Sequence, residues 1–145
     1  MSRLARHLAA VLTVTVSLML PGLAQAKTSN ESWQMYKATN AARVKHSVGR
    51  LDRAHRMTDE AAKHARAMAR RGDLFHSGPS RYGVRCRAWG ENVGYTSGDV
   101  GDLQRAFMHS PSHRVNMLDH VFERVAVGAA TDDRGRLYVA VFFCT

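Results

Sequence analysis

The eight residues Leu137–Cys144 (Leu-Tyr-Val-Ala-Val-Phe-Phe-Cys) constrain the fold more than any other part of the chain. A strand turns successive side chains to opposite faces, so Leu137, Val139, Val141 and Phe143 share one face and Tyr138, Ala140, Phe142 and Cys144 the other. Neither face is polar. Such a strand must lie inside a sheet, with an apolar layer on each side. The preceding segment, Arg124 to Thr131, is also apolar and leads into Asp132-Asp133-Arg134-Gly135, a strong turn signal, so the two segments form a hairpin. The expected architecture is a small central antiparallel sheet with helices above and below, an α+β three-layer sandwich.

The rest of the chain supplies the covering helices. Thr28-Ser29-Asn30-Glu31 reads as a capping box, predicting a helix from about Asn30 to Val44 with Trp33, Tyr36, Ala41 and Val44 as its buried stripe. Val48-Gly49 breaks it, and Leu51 is a lone apolar anchor in the connection. Thr58-Asp59-Glu60 opens a second helix with Ala61, Ala65, Met68 and Ala69 on one face and Gly72 as its stop. Residues 77–90, rich in Gly, Pro, Ser and Arg, read as a long irregular loop, a type often given to function. Glu91 to Tyr95 fits a short strand, and Leu103, Ala106 and Phe107 mark a short third helix.

Residues 1–26 have the pattern of a cleaved export signal. Arg3, Arg6 and His7 precede an uncharged apolar stretch, Leu8 to Leu20, and Ala24-Gln25-Ala26 is a small-x-small site. The stretch is shorter than the roughly 20 residues of a transmembrane helix. Removing 26 of the 145 residues leaves 119, expected to form a single domain, residues 27–145, secreted or extracellular and without a membrane span. This remainder has 19 basic against 12 acidic residues, a formal charge of +7. That favours an anionic surface as partner, although the basic residues are spread along the sequence, which speaks for solvated faces and against a specific nucleic-acid site. Both cysteines, Cys86 and Cys144, lie in the exported part. An oxidising compartment favours one bridge between them, worth about 4 kcal/mol in the chain-entropy picture, with two free thiols as the alternative.

Chemistry concentrates in Ser110-Pro111-Ser112-His113-Arg114-Val115-Asn116. Ser110 can cap a helix and Pro111 suits its first position, so a fourth helix should run to about Leu118. His113 falls in the first turn, where the helix dipole favours a neutral imidazole able to bind a metal or accept a proton. A second imidazole, His76, and a carboxylate, Glu91, are its candidate partners, and Asn92 beside Glu91 is expected to hold a turn or touch a ligand. His46, His55, His64 and His120 lie among charges and are expected on the surface; His109 carries little weight. Ser77, Ser110 and Ser112 stand near imidazoles, but no Gly-x-Ser-x-Gly elbow occurs.

The order of these pieces resembles one family. Asn40-Ala41-Ala42-Arg43, residues 61–69, Phe75-His76-Ser77, Gly90-Glu91-Asn92-Val93, residues 107–118, Val127-Gly128 and residues 138–143 are together similar to the CAP superfamily (cysteine-rich secretory proteins, antigen 5 and pathogenesis-related 1), also called SCP domains. The resemblance implies an α–β–α sandwich with an open cleft where two His and two acidic residues meet. His76, Glu91 and His113 carry over. The fourth member does not, because Ser77 to Ala88 contains no acid and has Arg81 and Arg85 instead; Phe107 replaces the family's Trp.

Three functional classes follow. The first is a secreted, monomeric binding module whose cleft takes a small lipid, sterol or wall-derived fragment. The second is a metal-dependent hydrolase using His76, His113 and Glu91, in which a water bound to zinc or another divalent ion is the nucleophile and Glu91 the base; toward the metal, Glu91 is either a direct ligand or a brace behind an imidazole. The third is a polyanion-binding surface protein. The missing acid argues against the second, so binding is the expectation and no reaction is predicted.

Overall fold

The structure is a computed structural model, and it describes residues 21–78 and 85–145. Residues 1–20 of the export-signal pattern lie outside the described residues. Eight elements follow in order: α1 (Pro21–Lys45), β1 (Asp52–Arg53), α2 (His55–Arg71), β2 (Trp89–Thr96), α3 (Val100–His109), α4 (Pro111–Leu118), β3 (Arg124–Thr131) and β4 (Leu137–Cys144). The sheet order is β1-β3-β4-β2. Strand β4 is paired on both edges, antiparallel to β2 and to β3, with Val141 opposite both Asn92 and Val127.

Both faces of β4 are covered, as its apolar alternation requires. Leu137, Val139, Val141 and Phe143 pack with Met35, Leu103, Phe107 and Met117, which come from α1, α3 and α4. Tyr138, Ala140, Phe142 and Cys144 pack with Met57, Ala61, Ala65 and Met68 of α2. The result is a three-layer sandwich in which, among the described residues, α2 is the one helix on its side. Close approach on that side depends on Gly128, where a Cβ would fall 2.0 Å from the Ala61 carbonyl carbon and 2.2 Å from the Ala62 nitrogen. Among the described residues, no helix is long and apolar enough to cross a membrane.

Four expectations need correction. The sheet is mixed, because burial of Leu51 draws Asp52 and Arg53 alongside β3 in parallel, where Asp52 N–H donates to Glu123 O at 2.8 Å. Helix α1 begins at Pro21, so Thr28–Glu31 lies within it and does not start it. Its buried face is Met35, Thr39, Asn40 and Arg43, while Trp33 and Val44 are 42% and 51% exposed and Ala41 is also exposed. That face docks by hydrogen bonds, which an apolar stripe does not report. Asn40 bonds both the N–H and the C=O of Leu51, at 2.8 and 3.1 Å. The Arg43 guanidinium donates to the carbonyls of Gly49, Met117, Asp119 and Phe122. Helix α2 starts at His55, earlier than Thr58, whose hydroxyl bonds back to Ala54 O at 3.2 Å.

The C-terminal stop of α2 is as expected: Gly72 adopts φ 67°, and its N–H returns to the carbonyls of Met68 and Ala69. Cys86 and Cys144 form a disulfide with Cα atoms 5.4 Å apart. It ties the irregular segment before β2 to the end of the central strand.

Candidate functional site

Strand β2 is an edge strand, and its alternation divides the site between two layers. Gly90, Asn92 and Gly94 face α3 and α4: a Cβ at Gly90 would meet Phe122 and Asn116, and one at Gly94 would meet Leu103 and Phe107. Val93 faces α2, and Glu91, two residues earlier, presents its carboxylate on the same side.

Glu91 is the hub. Its side chain is only 4% exposed, yet both oxygens are occupied. Oε2 lies 2.9 Å from His76 Nδ1 and accepts from Ser77 N–H at 2.9 Å. Oε1 accepts from the Ser77 hydroxyl at 2.6 Å and lies 3.3 Å from His64 Nε2. A carboxylate facing Nδ1 makes that nitrogen the donor and leaves Nε2 as the ring nitrogen that Glu91 does not engage. The His76 side chain is 62% exposed, so Nε2 is presented at the surface.

His64 corrects an expectation. It is buried, at 3% exposure, and not on the surface. Its Nε2 lies 2.9 Å from Phe75 O, and its ring meets the Phe75 ring edge-on at 5.0 Å. His64 therefore fastens the segment after α2, and with it His76, to the helix. Its position was detectable, since it continues the 57, 61, 65, 68 stripe of α2. Its charged neighbours in the sequence concealed that.

The second imidazole comes from the opposite layer. His113 sits in the first turn of α4, its ring 4.9 Å from that of Phe107. Burial pushes its pKa below 6.5, and the nearby His76 acts in the same direction. The expectation of a neutral His113 thus has burial as its principal cause. Pro111 occupies the start of the helix as expected, but the Ser110 side chain makes no capping bond; its hydroxyl pairs with that of Ser112 at 3.3 Å. What seats α4 is Asn92, which lies in a strand and not in a turn. Its side chain has no exposed surface, its Nδ2 donates to His113 O at 2.9 Å, and its Oδ1 accepts from Asn116 Nδ2 at 3.0 Å. Asn116 also donates to Glu91 O at 3.2 Å, linking the α4 layer to the strand that carries the carboxylate.

His76 and Glu91 are in direct contact, and His113 is tied to the same strand through Asn92 and lies near enough to His76 to feel its charge. Among the described residues, no group of three or more His, Cys, Asp or Glu is arranged to hold a metal ion. With both Glu91 oxygens engaged, the outward nitrogen donors are the two imidazoles.

The CAP family model, described as the cysteine-rich secretory protein family, matches residues 36–145. Among solved structures, an extracellular SCP-domain protein from Bacillus anthracis aligns with a TM-score of 0.76 at 22% identity, over 90% of this chain and 45% of that one. An outer surface protein from Borrelia burgdorferi aligns with a TM-score of 0.73 at 14% identity, over 81% and 94% of the two chains. A cysteine-rich secretory protein from Staphylococcus aureus gives 0.65 at 22% identity, over 81% and 39%. The chain thus spans less than half the length of the Bacillus and Staphylococcus proteins. A comparison with curated proteins finds no match. At these identities the structures establish a shared fold, and the family model, which covers most of the chain, establishes that it belongs to the CAP family.

Proposed function

We propose that this chain is an exported binding module whose shelf of His76 and His113 takes a small ligand, a lipid, sterol or wall-derived fragment, without catalysing a reaction on it. One observation carries this reading: Glu91, the carboxylate that meets His76 among the described residues, is already committed. Glu91 meets two donors from Ser77 and the imidazoles of His76 and His64. A general base must reach the proton it removes. Glu91 instead faces inward and orients His76. The two imidazoles remain as outward groups, one fixed in its tautomer and one with depressed basicity, suited to accept hydrogen bonds from a ligand.

A divalent metal enters this proposal only in reduced form. A three-ligand centre of His76, His113 and Glu91 does not fit the carboxylate's engagement; two imidazoles, with Glu91 behind His76, are what the chain offers. Calorimetric titration of the purified protein with Zn²⁺ at pH 7.5, repeated with His113→Ala, tests it. Heat in the wild type that the variant loses supports the imidazole pair, and no heat in the wild type removes the metal from the proposal. The ligand itself is sought by mass spectrometry of protein extracted from its native host. Repeated absence of any lipid or wall fragment, with Glu91→Gln and wild type indistinguishable, would overturn the binding reading.

A further inference from the structure

Five of the basic residues, from two separate parts of the sequence, converge in space. A trough of about 580 Å³ runs between the C-terminal turn of α2 and the β3–β4 turn, and His76, Glu91 and His113 are not among the residues that line it. Arg66, Arg70 and Arg71 line it from the helix; Arg134 and Arg136 line it from the hairpin. Arginines at a helix C-terminus are ordinary, since they complement the dipole. Of the hairpin arginines, Arg136 is placed by Asp132 and two tyrosine rings, whereas Arg134 has no ion pair among the described residues.

Asp132 and Asp133 also line the trough, so the five arginines leave a net excess of three positive charges there. Asp132 is engaged within its own turn: Oδ1 accepts from the N–H groups of Arg134 and Arg136, and Oδ2 from Arg136 Nε at 2.7 Å. It stiffens the wall. Arg136 is held further by the rings of Tyr95 and Tyr138, 5.1 and 5.4 Å from its guanidinium carbon. Among the described residues, Arg66, Arg70, Arg71 and Arg134 have no carboxylate within ion-pair distance. Asp132 and Asp133 offset this charge only in part; the remaining like charges repel one another, and a concave wall focuses their field.

We infer that this trough is a second binding site, for a linear polymer bearing phosphate groups. Guanidinium forks match phosphate oxygens in pairs, and this geometry is why arginine is favoured over lysine at such sites. A trough with cationic walls on two elements admits a chain lying along it. A flat bilayer cannot reach both walls, and one small anion cannot neutralise a net excess of three positive charges spread over two walls.

The test measures binding of fluorescently labelled linear inorganic polyphosphate to the purified protein at about 50 mM salt and above, where phosphate contacts dominate affinity. Wild type should bind saturably. The triple variant Arg66→Gln/Arg70→Gln/Arg134→Gln should bind at least about tenfold more weakly, with a slope of log affinity against log salt shallower by about two, because each lost phosphate contact removes about 0.7–0.9. A control triple, Arg50→Gln/Arg56→Gln/Arg87→Gln, removes the same charge elsewhere and should stay within about threefold of wild type, since distant exposed charges are screened. Thermal melts confirm that both triples are folded. The inference is overturned if wild type does not bind, if both triples lose affinity equally, or if inorganic phosphate competes as well as polyphosphate at equal phosphate concentration. It is also overturned if phosphatidylglycerol vesicles bind through these arginines while polyphosphate does not. Zn²⁺ titration is read separately, so failure here leaves the shelf untouched, and the reverse.

Discussion

Gly128→Ala should destabilise this protein severely, against the usual direction of such a change. Replacing glycine by alanine at a compatible position typically stabilises by about 0.4–1 kcal/mol, by restricting the unfolded chain. Gly128 lies in β3 with all its neighbours in regular structure, and an added Cβ would fall 2.0 Å from Ala61 C, 2.1 Å from Ala61 O and 2.2 Å from Ala62 N. These are backbone atoms of α2, so no rotamer change relieves the contact. The helix must move away by more than about 1 Å, opening the packing of Ala61, Ala65 and Met68 on Ala126, Ala140 and Phe142. Overpacking in a core ordinarily costs about 1–3 kcal/mol; a backbone-to-backbone clash between two rigid elements belongs at or above the top of that range. Urea unfolding measures it as a lower midpoint at unchanged slope. Because the obstruction is main chain, Ala61→Gly should not rescue the variant. His64 rides on the same helix, so a displaced α2 should also loosen His76. A Gly128→Ala protein within about 0.5 kcal/mol of wild type, or rescued by Ala61→Gly, would refute the reasoning; a stability change that small is the range of ordinary surface substitutions.

Three further predictions follow from other contacts. Arg43→Lys should lose about 3 kcal/mol or more in urea unfolding, because one ammonium cannot replace a fork serving four carbonyls and the unbonded carbonyls are buried. Reducing the disulfide, or making Cys86→Ala/Cys144→Ala, opens a loop with a sequence separation of 58 and should lower stability by about 4 kcal/mol; equal midpoints with and without reductant would contradict this. His113 should titrate by NMR with a midpoint below 6.5, and His76→Ala should raise it. The folded protein then binds fewer protons at this site than the unfolded chain. His113 therefore contributes stability above the unfolded pKa, and that contribution declines as pH falls from 6.5 toward the depressed folded value.

The parts legible in the sequence were those governed by local apolar periodicity and turn chemistry. The two-faced strand β4, the hairpin with β3 and the Gly72 stop all came from neighbours along the chain. The residues His76, Glu91 and His113 were legible as a candidate group through the family resemblance. Their arrangement was not. The sequence could not show that Glu91 is enclosed by Ser77, His76 and His64. Nor could it show that Asn92 and Asn116 tie the α4 layer to β2.

Helix α1 makes the division plain. Its aromatic and aliphatic residues suggested an apolar stripe, but its docked face holds Asn40 and Arg43, whose burial is tolerated because Leu51, Met117 and Phe122 supply backbone partners. The five arginines of the trough likewise converge only after α2 has folded against the hairpin. Apolar burial follows a local period because it needs no particular partner. Polar burial and the gathering of charge need specific partners, and those are brought together only by the tertiary fold.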